Sequence, residues 1–192
     1  MRRFLVSICV AMIAFGAAAR VVAQQGPDRQ EVLEKLEGKL RTVRHVAFHP
    51  AIVRAVRIQN SEQLGMELIQ ERDSQWRSST ERTALQRTIL SSRASEVLKK
   101  LVEQNSDFNE AFATDNQGAN VAMFPATSDY WQGDEDKWIQ AFNQGDGRLW
   151  IGEIEVDEST GLAAVQVSVP IVDQGATIGV LVIGITQDYL QQ

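Results

Sequence analysis

The chain has 192 residues, 44% of them hydrophobic and 23% charged, which is the size and balance of one globular domain and argues against a multidomain enzyme, wholesale disorder or a polytopic membrane protein. Lys and Arg number 19 against 25 Asp and Glu, for a net charge of −6, and Arg2, Arg3 and Arg20 all fall near the N-terminus. The rest of the chain is more acidic still. It repels phosphate backbones and carries no concentrated basic patch, so nucleic acid is not an expected partner.

In chain order, Met-Arg-Arg, an apolar run over 4–19 and Val21-Val22-Ala23 before Gln24 supply the basic region, the hydrophobic region and the small-residue cleavage site of a secretory signal peptide. The expected boundary is 1–23, with a periplasmic mature chain beginning at Gln24; retention as an anchor is the alternative, for which the run is short. Cys9, the one cysteine, lies inside that segment. The mature domain is therefore expected to lack disulfides, thiol nucleophiles and cysteine-held metals.

Residues 24–106 read as helical. Leu33, Leu36, Leu40, Val43 and Ala47 step by three and four along one stripe, Pro50 breaks it, and Ile52, Val53, Val56 and Ile58 continue it. Asn60 with Gln63 and Ser78 with Glu81 fit capping boxes. These would open helices carrying Leu64, Leu68, Ile69 and Trp76, then Leu85, Leu90, Ala94, Val97, Leu98 and Leu101. The first stripe is about two heptads long, too short for a self-sufficient coiled coil, so a monomer or weak homodimer is expected.

From 107 to 192 the pattern turns to short β-prone runs. Strands over 110–114 and 119–124 flank Asp115-Asn116-Gln117-Gly118, and strands over 149–156 and 162–172 flank a second turn at 157–161. Asp173-Gln174-Gly175 leads into a last strand over 176–185. The fold class is α+β, with long N-terminal helices on a five-stranded antiparallel sheet. Its two final, most β-branched strands are expected at the centre. The connection 125–148, rich in Trp, Tyr, Asp and Gly, is long enough to cover one sheet face, and connections of that length are usually functional.

The helical lead, followed by Phe-Ala-Thr-Asp-Asn-Gln-Gly-Ala-Asn-Val-Ala at 112–122, Thr-Ser-Asp-Tyr-Trp-Gln-Gly-Asp-Glu-Asp-Lys-Trp at 127–138 and Val-Pro-Ile-Val-Asp-Gln-Gly-Ala-Thr-Ile-Gly-Val-Leu at 169–181, resembles a single Cache domain, the PAS-like sensor of bacterial extracytoplasmic receptors. The resemblance implies a sheet that cups a small ligand beneath the 125–148 segment. It also implies a ligand-driven shift between the long helix and the terminal strand. With no output domain in view, the implied partner is a separate membrane sensor kinase or receptor. Asp136-Lys137-Trp138-Ile139 stands where the amino-acid-binding subgroup carries Arg and paired Tyr, so the ligand is expected to be a small polar molecule of open class.

Within 125–148, Tyr130 and Trp131 are expected to wall the ligand site, while Trp138 is either wall or core plug. Asp129 or Arg148 would fix the ligand's orientation. The acids Asp129, Asp134, Glu135 and Asp136 fit a solvated turn better than a calcium loop, with Asp129 or Asp134 also able to cap a short helix. His45 and His49, four apart, lack a third ligand and read as ordinary helix histidines. Asp115 and Asp173 precede turn glycines and are expected to bond the turn backbone. No nucleophile elbow, Ser-x-x-Lys or phosphate loop is present in the sequence, so no enzyme, cofactor or metal is expected. The rival readings are a structural or interaction protein with a Cache fold and no working pocket, dimerising through its N-terminal helix, and, more distantly, a metal-dependent hydrolase using the loop acids.

Overall fold

The computed structural model describes residues 29–156 and 161–191, with side chains from 34. The proposed signal segment and most of the 157–161 turn lie outside the described residues. Five helices come first: α1 (Arg29–Ala47), α2 (Pro50–Glu62), α3 (Met66–Ser78), α4 (Ala84–Leu90) and α5 (Arg93–Glu103). Strands β1 (Phe108–Thr114) and β2 (Asn120–Phe124) precede α6 (Asp136–Phe142). Then come β3 (Trp150–Val156), β4 (Ala163–Asp173), β5 (Ala176–Thr186) and a terminal turn of helix α7 (Gln187–Gln191). No helix among the described residues is long and apolar enough to cross a membrane.

The strands form one antiparallel sheet in the order β2-β1-β5-β4-β3. β5 is central, with β1 and β4 beside it. Period-two alternation divides the sheet cleanly. Val165, Val167, Val169 and Ile171 of β4 and Leu181, Ile183 and Ile185 of β5 point to one face, where they pack against α1, α2 and α5. Phe112, Met123, Val180 and Val182 point to the other, where they pack with Ile69 and Trp76 of α3 and Ile89 of α4. The described part of the α1 stripe is consumed by the first of these cores: Leu36, Leu40, Val43 and Ala47 are all buried. At the end of the chain Tyr189 donates to the Lys35 carbonyl at 2.9 Å and Lys35 Nζ donates to the Leu190 carbonyl at 2.6 Å, clasping α7 to α1.

The helix boundaries correct three sequence expectations. Asn60 opens no helix: it lies inside α2, one turn beyond buried Val56, and its amide reaches across to the Ile178 carbonyl at 2.7 Å and the Asn116 N–H at 3.1 Å. Gln63 instead closes α2 in the left-handed region at φ 48°. Ser78 belongs to α3, and its hydroxyl bonds back to the Ser74 carbonyl. The working capping box is Thr83 with Gln86, each side chain bonded to the other's backbone N–H. Ser92 then caps a separate α5, so 84–103 is two helices, not one. His49 caps α2 by accepting from the Ala51 N–H, with Pro50 at the first helical position, where its missing N–H costs nothing. Asp115 bonds the turn backbone as expected, whereas Asp173 pairs with Arg57 of α2 at 2.7 Å.

Candidate functional site

Residues 125–135 run back along the outer edge of β2 before entering α6. The Asn120 N–H donates to the Tyr130 carbonyl at 3.0 Å and the Gln132 N–H to the Gly118 carbonyl at 2.8 Å, with an isolated bridge between Ala119 and Trp131. This occupies a donor and an acceptor that an edge strand would otherwise expose. The approach requires glycine on both sides. A Cβ on Gly118, whose φ is +87°, would lie 2.4 Å from the Gly133 Cα. From α3, Asp73 Oδ1 accepts the N–H groups of Tyr130 and Trp131 at 2.9 and 3.0 Å, and the Trp76 indole donates to the Thr127 carbonyl at 2.9 Å. The segment is therefore pinned at several points, and α6 then lies across β3, β4 and β5.

Between this segment and the sheet lies a cavity of about 700 Å3. Its floor is the polar part of the second sheet face: Glu110 and Phe112 of β1, Gln166 of β4, and Trp150, Glu153 and Glu155 of β3. Its roof includes Asp129, Gln132, Glu135, Asp136 and Lys137. Gln166 donates to Glu110 at 2.8 Å across the intervening β5, at the point where that strand is narrowed by Gly184. Gln132 donates to Asp129. Lys137 pairs with Glu135 at 2.8 Å and places its ammonium 5.5 Å from the centre of the Phe112 ring.

Of the five residues picked from the sequence, Asp129 lines this cavity. Tyr130 is fully buried, stacked at a tilt on Trp76, with Arg72 within 3.5 Å of its hydroxyl. Trp131 donates its indole N–H to the Gln117 carbonyl at 2.7 Å and closes over the hairpin turn. Trp138 stacks on Phe142 and reaches the Asp115 carbonyl at 3.3 Å. Arg148 is exposed and bonded to Gln140. These four hold the covering segment in place, and none of them is among the residues that line the cavity. The α6 N-cap is Glu135, so neither Asp129 nor Asp134 caps that helix. Among the described residues no group of three His, Cys, Asp or Glu side chains converges closely enough to hold a metal ion.

Burial first, and then the negative charges of Glu135 and Asp73, push the Asp129 carboxyl up to about 6, against the opposing pull of Lys137 and Gln132. Because the folded state holds this proton more tightly than the unfolded chain does, ionising Asp129 works against folding. Its contribution is complete below the ordinary carboxylate range and is lost as pH rises through about 6. Urea midpoints are expected to fall across that window, and Asp129→Asn is expected to flatten the fall. An unchanged profile in the variant would refute this assignment.

The structure is similar to the sensor domain of the V. cholerae histidine kinase DctB, with a TM-score of 0.54 and 11% identity, covering 85% of this chain and 53% of that one. It is similar to the E. coli DcuS sensor domain, with a TM-score of 0.53 and 17% identity, covering 85% of this chain and 96% of that one. The chain thus spans about half of the DctB domain and nearly all of the DcuS domain. No protein-family model and no curated protein matches the sequence. At these identities the likeness is one of fold: the chain shares the α+β architecture of these sensor domains, with the five antiparallel strands and N-terminal helices that its sequence pattern predicts.

Proposed function

We propose that the chain is an exported, non-enzymatic sensor module that takes a small polar molecule into the cavity above its sheet and signals through a separate membrane partner, a sensor kinase or receptor. The observation that carries the reading is the cavity itself. It is roomy and polar, floored by a rigid sheet, and roofed by a segment pinned to α3 and to the β1–β2 hairpin, the combination that lets a ligand be enclosed without unfolding its surroundings. A mechanical route leads away from it. β4 and β5 run beneath α6, and β5 continues into α7, which is clasped to α1. A ligand that draws the roof toward the floor would bias this unit, provided it binds the two arrangements with different affinity. Signal peptide 1–23 and a periplasmic location belong to the same proposal.

The protein recovered from the periplasmic fraction, screened by thermal shift against carboxylates, amino acids and amines, is expected to rise in melting temperature with one of these classes. The rise should depend on concentration, approaching about 2.7 kcal/mol of stabilisation at a hundredfold excess over Kd. Absence of a shift with every class would refute the reading and favour the interaction-protein alternative.

A further inference from the structure

Resting on that sensor reading, we infer that the cavity selects an organic polycation, a di- or polyamine with ammonium groups several ångströms apart, rather than a carboxylate. Six carboxylates line it: Glu110, Asp129, Glu135, Asp136, Glu153 and Glu155. Lys137 is the one basic residue among its lining, and Glu135 already pairs with it. The acids stand on both walls and at different depths. Glu110 is buried beneath the roof, while Asp136, Glu153 and Glu155 are exposed at the rim. A carboxylate ligand entering here would meet like charge from the sheet and from the covering segment.

An acidic surface can simply face water, but a second observation concerns a group that does not. Gln132 is 1% exposed and lines the cavity, and its Oε1 has no hydrogen-bond partner among the described residues. With Asp129 ionised the amide cannot resolve this by turning over, because Nε2 donates to Asp129 and the flip would set two oxygens against each other. A buried acceptor without a donor is costly, and an ammonium brings three donors and no acceptor. The acids do not converge tightly enough to hold a metal ion, so the charge they attract is distributed rather than a point. Lys137 shows that the cavity tolerates such a group: its ammonium sits against the Phe112 ring and the Glu135 carboxylate, the aromatic and anionic surroundings in which alkylammonium ions are held.

Isothermal titration of the mature protein with putrescine, spermidine, succinate and Mg2+ tests this. Spermidine is expected to bind most tightly, more weakly as salt rises. The exposed double variant Glu153→Gln/Glu155→Gln is expected to weaken it about fivefold, consistent with two rim ion pairs, and Asp129→Asn to weaken it further, with circular dichroism confirming that both variants fold. Succinate binding without amine binding overturns the polycation and leaves the sensor reading standing. Binding of Mg2+ alone, or spermidine binding that neither variant changes, likewise overturns it. No binding by any of the four overturns the inference and counts against the sensor reading, which the broader thermal-shift screen then decides separately.

Discussion

Trp76→Ala is expected to destabilise the protein by about 3–5 kcal/mol, the range for truncating a buried aromatic. Trp76 is 2% exposed and belongs to a helix with few other buried residues, Ile69 being the other fully enclosed apolar one. Its ring lies 5.6 Å from that of Tyr130, and its indole N–H satisfies the Thr127 carbonyl inside the second core. Alanine therefore removes packing area and a buried donor together and leaves an orphaned carbonyl at the start of the cavity roof. Trp76→Phe should recover most of the packing and none of the hydrogen bond, so its urea midpoint is expected between those of the wild type and the alanine variant. A loss under about 1 kcal/mol for alanine would mean that α3 does not anchor the segment, against the range for such sites.

The sheet was legible because β4 alternates Val165, Val167, Val169 and Ile171 with Gln166 and Ser168, a pattern that only a two-faced strand satisfies. The segment that covers the cavity was legible too, since 125–148 is the one long connection dense in aromatics and charges. Which side chains face the cavity was not, Asp129 excepted. Large aromatics with polar tips suit a ligand wall and suit an anchor equally well, and here Tyr130, Trp131 and Trp138 spend their polar atoms or rings on α3, the hairpin turn and Phe142. The missed residues carried a quieter signal. Glu110 sits two before Phe112 in a strand that is buried throughout, and Gln166 interrupts a run of valines. Polar residues in register at the middle of central strands require a partner or a cavity, and these two have each other and the cavity. The helix starts failed for a different reason. Patterns of Ser, Thr or Asn followed three residues later by Glu or Gln recur at Asn60, Ser78 and Thr83, and tertiary demands decide among them. Asn60 is claimed by the Ile178 carbonyl before it can cap anything.

Asp73→Ala is the second large effect expected, a loss of about 3 kcal/mol from two hydrogen bonds to a charged acceptor. One oxygen of Asp73 takes both the Tyr130 and the Trp131 N–H, so the chain reverses over a single carboxylate that no neighbouring group replaces in the described structure. Its other oxygen lies 3.6 Å from Arg77, whose side chain is exposed, so this long pair contributes little. Asp73→Asn keeps the accepting oxygen while discarding the charge, and should cost far less than alanine. The charge has a separate consequence. Asp73 is one of the groups that hold the Asp129 carboxyl up near 6, so Asp73→Asn should lower that value and move the pH-dependent loss of stability toward acid. Carboxyl titration followed by NMR reads the shift directly, and urea midpoints read the stability. If asparagine proves as damaging as alanine, charge rather than geometry is what holds the roof; if Asp129 titrates unchanged, the two carboxylates do not feel each other across the segment that Asp73 pins.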